Sequence, residues 1–76
     1  MGVEDTVLYK DVEKQLSEEN RTAVRSLRII TQYGTNITAG TVAEVLKEEG
    51  NNKAANGVAD AAFMYDSQYA GVMFNG

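Results

Sequence analysis

The stretch "ITAGTVAEVLKEEGNN", residues 37–52, carries the clearest helix signals of the chain and decides the fold class. Thr38 is a preferred N-cap residue, and Ile37 before it has the spacing to pack on Val42 as a hydrophobic staple. Lys47 suits the negative carboxyl end of a helix, and Gly50 is the residue type that most often ends one. The stretch therefore predicts a helix between Thr38 and Gly50.

A second helix is predicted downstream, over Lys53–Phe74, with Asn51 or Asn52 as its N-cap. This segment is rich in alanine, and its apolar residues keep a helical period: Val58, Ala62, Tyr65, Tyr69 and Val72. The dipeptide Asn56-Gly57 interrupts the pattern and is also a strong hairpin signal, so a break or a strand pair at this point is the alternative.

Upstream, a helix is predicted from the N-cap Ser17 to the stop at Gly34. Its buried stripe consists of Ala23, Val24, Leu27 and Ile30. Arg21, Arg25 and Arg28 have the spacing i, i+4, i+7, which places them together on the opposite face. Three of the seven cations of the chain thus lie on one helix face.

The first segment, Asp5–Leu16, predicts a short helix because Leu8, Val12 and Leu16 recur every four residues, with Tyr9 on their flank. An extended arm over "TVLYKDV" is the alternative, since Thr, Val and Tyr favour strands.

These patterns predict an all-α fold, a small bundle of three to four helices in a single domain over residues 1–76. The chain has 43% hydrophobic and 24% charged residues, which is typical of a folded globular protein, and it contains no proline to interrupt helices. The predicted core consists of Leu8, Val12, Leu16, Val24, Leu27, Ile30, Val42, Val45, Leu46, Val58, Ala62 and Tyr65.

The composition disfavours several classes of function. Histidine and cysteine are absent, which removes the commonest general base, the commonest metal ligand and the most reactive nucleophile. The glycines form no phosphate-binding loop. We therefore expect a protein that is not an enzyme and has no catalytic residues, cofactor or metal. The absence of cysteine, of a long apolar stretch and of a signal-peptide pattern predicts a cytoplasmic location without a membrane contact.

Residues 24–66 carry a second pattern: a helix ending at Gly34, a short turn, the helix of "ITAGTVAEVL", a glycine turn and another helix. This arrangement resembles the helix-turn-helix core of small transcriptional regulators. The resemblance implies that the helix opening with "NNKAANG" enters the major groove of DNA. The candidate contacts to nucleic acid or to another partner are Arg21, Arg25, Arg28, Asn51, Asn52, Lys53 and Asn56.

The charge of the chain favours a protein partner over nucleic acid. The formal net charge is -4 and the pI is about 4.6, whereas a nucleic-acid domain is usually basic. The arginines can also serve as a solvated helix face, with Glu18 pairing with Arg21 three residues later.

The last predicted helix has more apolar surface than one core requires. Beside its main stripe it carries a second stripe of Ala59, Phe63, Ala70 and Phe74, and Met64 and Met73 lie outside the main stripe as well. Aromatic and Met side chains are enriched at protein interfaces. The predicted interface residues are Phe63, Met64, Ala70, Met73 and Phe74. The sequence thus predicts a small regulatory protein that acts by protein-protein contact, as a homodimer or as an inhibitor-like docking protein, with DNA binding as the alternative.

Overall fold

Seven helical segments follow one another in a computed structural model that describes the backbone of residues 2–75 and the side chains of residues 2–68. Within that part of the chain there are five α-helices, two 3-10 helices and no strand, which confirms the predicted all-α bundle. The 3-10 helices are Val3–Asp5 and Glu13–Gln15. The α-helices are α1 (Tyr9–Val12), α2 (Glu18–Arg25), α3 (Arg28–Tyr33), α4 (Ala39–Glu48) and α5 (Asn52–Asn75).

Helix α4 begins and ends as predicted. The Oγ1 atom of Thr38 accepts a hydrogen bond from the backbone N–H of Thr41, at 3.2 Å, and so caps the helix. Gly50 follows the helix with a φ of 82°, a left-handed conformation that favours glycine. The Oδ1 atom of Asn51 then accepts from the N–H of Ala54, at 3.2 Å, and caps α5. The two helices therefore form a hairpin, and the residues at the helix ends determine where each helix begins and ends.

Helix α5 is central to the bundle and packs against α4, α2, α1 and both 3-10 helices. The face it buries is made of small residues, which allow its neighbours to approach closely: Ala54, Ala55, Val58, Ala61 and Ala62. The helix runs through Asn56-Gly57 without a break, so neither the break nor the hairpin alternative is found. Gly57 serves packing instead, because a Cβ atom there would collide with the side-chain amide of Asn20 on α2.

The single helix predicted between Ser17 and Gly34 is wrong in one respect, since the structure divides it into α2 and α3. Ser17 does cap α2 and Gly34 does follow α3. Between them the hydroxyl of Ser26 donates to the carbonyl of Ala23, at 2.7 Å, and Leu27 adopts an extended conformation. Such local side-chain bonds compete with helix continuation. Leu27 is buried, as predicted, in spite of the break.

The N-terminal segment combines the two predicted alternatives. Leu8 is extended and forms an isolated antiparallel bridge with Thr38, as in the extended-arm prediction, and helix α1 begins only at the next residue. Because the helix starts later than predicted, its buried face is rotated. Tyr9, predicted on the flank, is fully buried, whereas Leu8, predicted in the core, is half-buried.

Most of the predicted core is confirmed. Nine of its members are buried: Val12, Leu16, Val24, Leu27, Ile30, Val42, Leu46, Val58 and Ala62. Val45 and Tyr65 pack against this cluster while only partly buried. The sequence missed Val7 and Tyr9, together with small residues of α4 and α5 whose burial follows from close helix contact: Ala39, Ala43, Ala54, Ala55 and Ala61.

Candidate functional site

The predicted interface lies where α5 leaves the core. Up to Ala62 the helix alternates buried and exposed side chains, but none of the side chains from residue 63 to residue 68 is fully buried. Phe63 is 49% exposed and Met64 is 57% exposed, although both are large and apolar. Ala59, one turn before Phe63, is half-buried. The other predicted interface residues, Ala70, Met73 and Phe74, have side chains outside the described residues.

Carboxylates border this apolar pair on both sides. Asp60 lies one turn before Phe63 and Met64 and is exposed, and Asp66 lies one turn after Phe63 and is half-buried. No Lys or Arg follows Lys53 in the sequence. The surface around Phe63 is therefore apolar at its centre and negative at its edge.

The three arginines do not form the predicted continuous stripe. The break at Ser26 and Leu27 places Arg21 and Arg25 on α2 and Arg28 on α3. Arg28 is exposed and Arg21 is half-buried. A stripe that depends on one straight helix is therefore not present.

Arg25 is bound within the fold. Its Nε and Nη2 atoms donate to the two carboxylate oxygens of Glu13, at 2.7 and 2.6 Å. The predicted Glu18–Arg21 pair is not among the ion pairs formed by residues 2–68, in which the paired arginine is Arg25 and its partner is Glu13. This bidentate contact ties the second 3-10 helix to α2.

The carboxylate of Glu13 also accepts a hydrogen bond from the hydroxyl of Tyr9, at 3.0 Å. The guanidinium of Arg25 and the hydroxyl of Tyr9 together lower the pKa of Glu13 below its usual range. Burial raises the pKa of the Tyr9 hydroxyl, and the neighbouring carboxylate raises it further. The three groups form a network that joins α1, the second 3-10 helix and α2.

The amino end of α5 presents some of the residues predicted to contact nucleic acid. Asn52, Lys53 and Asn56 are exposed, whereas the side chain of Asn51 is engaged in capping the helix. Lys53 lies 3.5 Å from a carboxylate oxygen of Glu19, and both side chains are 75% exposed. An ion pair so open to water holds the lysine only weakly.

A groove of about 430 Å³ lies beside Ala59, between the first 3-10 helix, α4 and α5. Its charged lining comes from Glu4, Asp5, Glu44 and Lys47. Oε2 of Glu4 is buried and has no hydrogen-bond partner. The one local signal for this groove is the glycine at position 40, where a Cβ atom would meet the carboxylate of Asp5 and lie 3.2 Å from the backbone oxygen of Glu4.

Other kinds of site have little support. Over residues 2–68 no three His, Cys, Asp or Glu side chains are grouped so as to hold a metal ion. Among the helices in the described part of the chain, none has the combination of length and apolar character needed to cross a membrane. Comparison with known protein families, with curated proteins and with solved structures finds no match to this chain. The arrangement of its own residues is therefore the basis for assigning a function.

Proposed function

We propose that this chain is a small, non-enzymatic interaction protein that binds a protein through the surface around Phe63 and Met64. The observation that carries the proposal is the exposure of these two adjacent side chains at the point where α5 leaves the core. Met and aromatic side chains are enriched at protein interfaces, because they bury much apolar area on contact.

The chemistry of the rest of the chain supports a binding role. The sequence has no His or Cys. The polar network of Tyr9, Glu13 and Arg25 links α1, the second 3-10 helix and α2, so it has a structural role. Phe63 and Met64, in contrast, belong to the best-packed helix of the bundle and yet do not serve its core.

Site-specific crosslinking tests this function. With the photoreactive residue p-benzoylphenylalanine in place of Phe63, irradiation of cells expressing the protein should yield one dominant crosslinked product, either a second copy or another protein. Tyr33 is the matched control position, because it is 70% exposed but stands alone at the end of α3. Crosslinking at position 63 no stronger than at position 33 would contradict the proposal.

A matched pair of variants provides a second test. Phe63→Ser combined with Met64→Ser should abolish the association found by crosslinking, whereas Tyr33→Ser should leave it unchanged. The helical circular dichroism signal should stay the same in both variants, because all three side chains are largely exposed. Unfolding of the double variant would place these side chains in the core and remove the support for an interface.

DNA binding is the second candidate function. The observation in its favour is the exposure of Asn52, Lys53 and Asn56 at the amino end of α5. An asparagine amide can pair with adenine and a lysine can contact phosphate. The test is fluorescence anisotropy with random duplex DNA at increasing salt. Salt-sensitive binding in the micromolar range that Lys53→Gln weakens would put DNA binding first, whereas its absence would leave the protein interface as the function.

A further inference from the structure

The groove beside Ala59 and the apolar pair Phe63 and Met64 are parts of one continuous surface. Ala59 lines the groove, and Phe63 follows it by four residues, which places both on the same side of α5. A segment lying along this side of α5 would contact the apolar pair first and the groove one turn away. A partner of Phe63 is therefore within reach of the groove.

The groove itself is negatively charged. Glu4, Asp5 and Glu44 line it with a single cation, Lys47, so its charged groups sum to about -2. Oε2 of Glu4 is buried, so a partner cannot reach it. The carboxylates of the groove that a partner can reach are those of Asp5 and Glu44, which are exposed.

A lysine or arginine side chain is the chemical complement of these exposed carboxylates. A lysine ammonium or an arginine guanidinium carries both the positive charge and the N–H donors that an ionised carboxylate accepts best. Asp60 and Asp66, which border the apolar pair, add negative charge along the same surface.

We infer that this composite surface binds a basic amphipathic segment of a partner protein, whose apolar side chains contact Phe63 and Met64 and whose Lys or Arg donates to Asp5 or Glu44 in the groove. The inference rests on the proposed function and specifies its partner. A second copy of the chain fits less well, because a symmetric contact would bring the two sets of carboxylates of chains of charge -4 together.

A pair of labelled peptides tests the charge of the partner. The first is an amphipathic helical peptide of leucine and lysine, and the second has glutamate in place of every lysine. Fluorescence anisotropy should show binding of the lysine peptide at least about tenfold tighter than that of the glutamate peptide. Equal binding of the two peptides would overturn the inference.

Charge variants test the groove. Glu44→Gln should weaken binding of the lysine peptide about fivefold, because the amide loses the charge that the ammonium meets in the groove. Glu48→Gln is the matched control, since it removes the same charge from another exposed position of α4 outside the groove lining. Its effect should be less than about twofold. Equal effects of the two variants would reduce the binding to general charge attraction and refute the inference.

Thermal unfolding separates this role from a structural one. Glu44→Gln should leave the melting temperature unchanged, because Glu44 is exposed and takes part in none of the ion pairs formed among residues 2–68. A variant with lower affinity and unreduced stability is the signature of a binding residue. Loss of stability in Glu44→Gln would show that the carboxylate serves the fold, and would also refute the inference.

The failure of this inference can be told apart from the failure of the proposed function. If position 63 crosslinks to a partner or a second copy while the lysine peptide does not bind, the interface stands and the basic partner is wrong. If Phe63→Ser with Met64→Ser changes neither the crosslinked association nor peptide binding, the interface itself is wrong.

Discussion

The hairpin of α4 and α5 and the N-terminal region, residues 3–33, obtain their order from different sources. The hairpin consists of helices of 10 and 24 residues, with Thr38 capping the start of α4 and Asn51 capping α5 at the turn. The N-terminal region is divided into five short segments, the longest of which, α2, has 8 residues. Helices of so few residues are unstable in isolation. Their positions therefore depend on contacts with the rest of the molecule.

Those contacts can be named. The backbone N–H groups of Tyr9 and Lys10 donate to the carbonyls of Ile37 and Thr35, at 2.7 and 3.2 Å. In return the N–H of Ala39 donates to the carbonyl of Val7, at 2.7 Å. The start of α1 is thus set by the loop before α4, some thirty residues later. Local sequence decides the limits of the hairpin, whereas long-range bonds decide the start of α1.

Core truncation is expected to have the largest effect and asks whether the two regions unfold together. Leu46→Ala in the hairpin and Leu27→Ala between α2 and α3 should each cost about 2–5 kcal/mol, because both side chains are buried and each change leaves a cavity. Urea denaturation followed by circular dichroism measures the cost. Leu8→Ala, at a half-buried position, is the matched control and should cost less.

Hydrogen exchange of the same two variants gives the sharper answer. If the regions form one cooperative unit, either variant should speed exchange throughout the described helices. If Leu27→Ala speeds exchange in residues 3–33 alone, the N-terminal region unfolds separately while the hairpin stays folded. A cost below about 1 kcal/mol for Leu27→Ala would contradict its burial.

The network of Tyr9, Glu13 and Arg25 should make the stability of the N-terminal region depend more strongly on pH than that of the hairpin. Hydrogen bonds from Arg25 and Tyr9 lower the pKa of Glu13 in the folded state. This contribution is present above the unfolded value of about 4.3 and is lost as the pH falls through the folded pKa. The pKa of Tyr9 is raised by burial, so its contribution is present below about pH 10 and is lost at alkaline pH.

Two variants separate these effects. Glu13→Gln should be less stable than the unchanged protein at neutral pH, and the difference should shrink as the pH falls below about 4. Tyr9→Phe should cost about 1 kcal/mol at neutral pH, because it removes one hydrogen bond and keeps the ring, and it should reduce the alkaline loss of stability. Urea midpoints measured from acid to alkaline pH check both signs. Parallel pH curves for the three proteins would show that the network does not contribute to stability.

The same contrast explains what the sequence could predict. Thr38, Gly50 and Asn51 act through atoms within a few residues of themselves, so the limits of α4 and the start of α5 could be read locally. The exposed pair Phe63 and Met64 followed from counting apolar faces on a helix too rich in them.

Other features did not follow from a helical period. The period predicted the burial of Leu27, but not the break between α2 and α3, where the hydroxyl of Ser26 donates to the carbonyl of Ala23 and Leu27 is extended. The burial of Tyr9 follows from hydrogen bonds to residues 35–39. The groove beside Glu4 exists only because the first 3-10 helix packs against α4 and α5, which no spacing within the chain reveals.

The smallest expected effect on stability comes from replacing either of two helical glycines with alanine, and the two replacements can be compared directly. Gly40 lies in α4 beneath the first 3-10 helix, and Gly57 lies in α5 against Asn20 of α2. Alanine should favour either helix by up to about 1 kcal/mol, because glycine is a poor helix former. The difference between the two sites is what the new Cβ atom would meet. At position 40 it would meet the carboxylate of Asp5 and, at 3.2 Å, the backbone oxygen of Glu4. At position 57 it would meet side-chain atoms of Asn20 alone, and these can move.

Gly57→Ala should therefore be neutral or stabilising by about 0.5–1 kcal/mol, since the amide of Asn20 can rotate away. Gly40→Ala should be destabilising by about 1 kcal/mol, because the backbone of the first 3-10 helix must shift from α4 to make room. Urea denaturation gives both values. Asn20→Ala in the Gly57→Ala background checks the cause. If the Asn20 amide collides with the new Cβ atom, its removal should raise the free energy of unfolding toward the full value expected for alanine in a helix. If Gly40→Ala were as stable as Gly57→Ala, the first 3-10 helix would be held so loosely that the hairpin alone accounts for the stability of the fold.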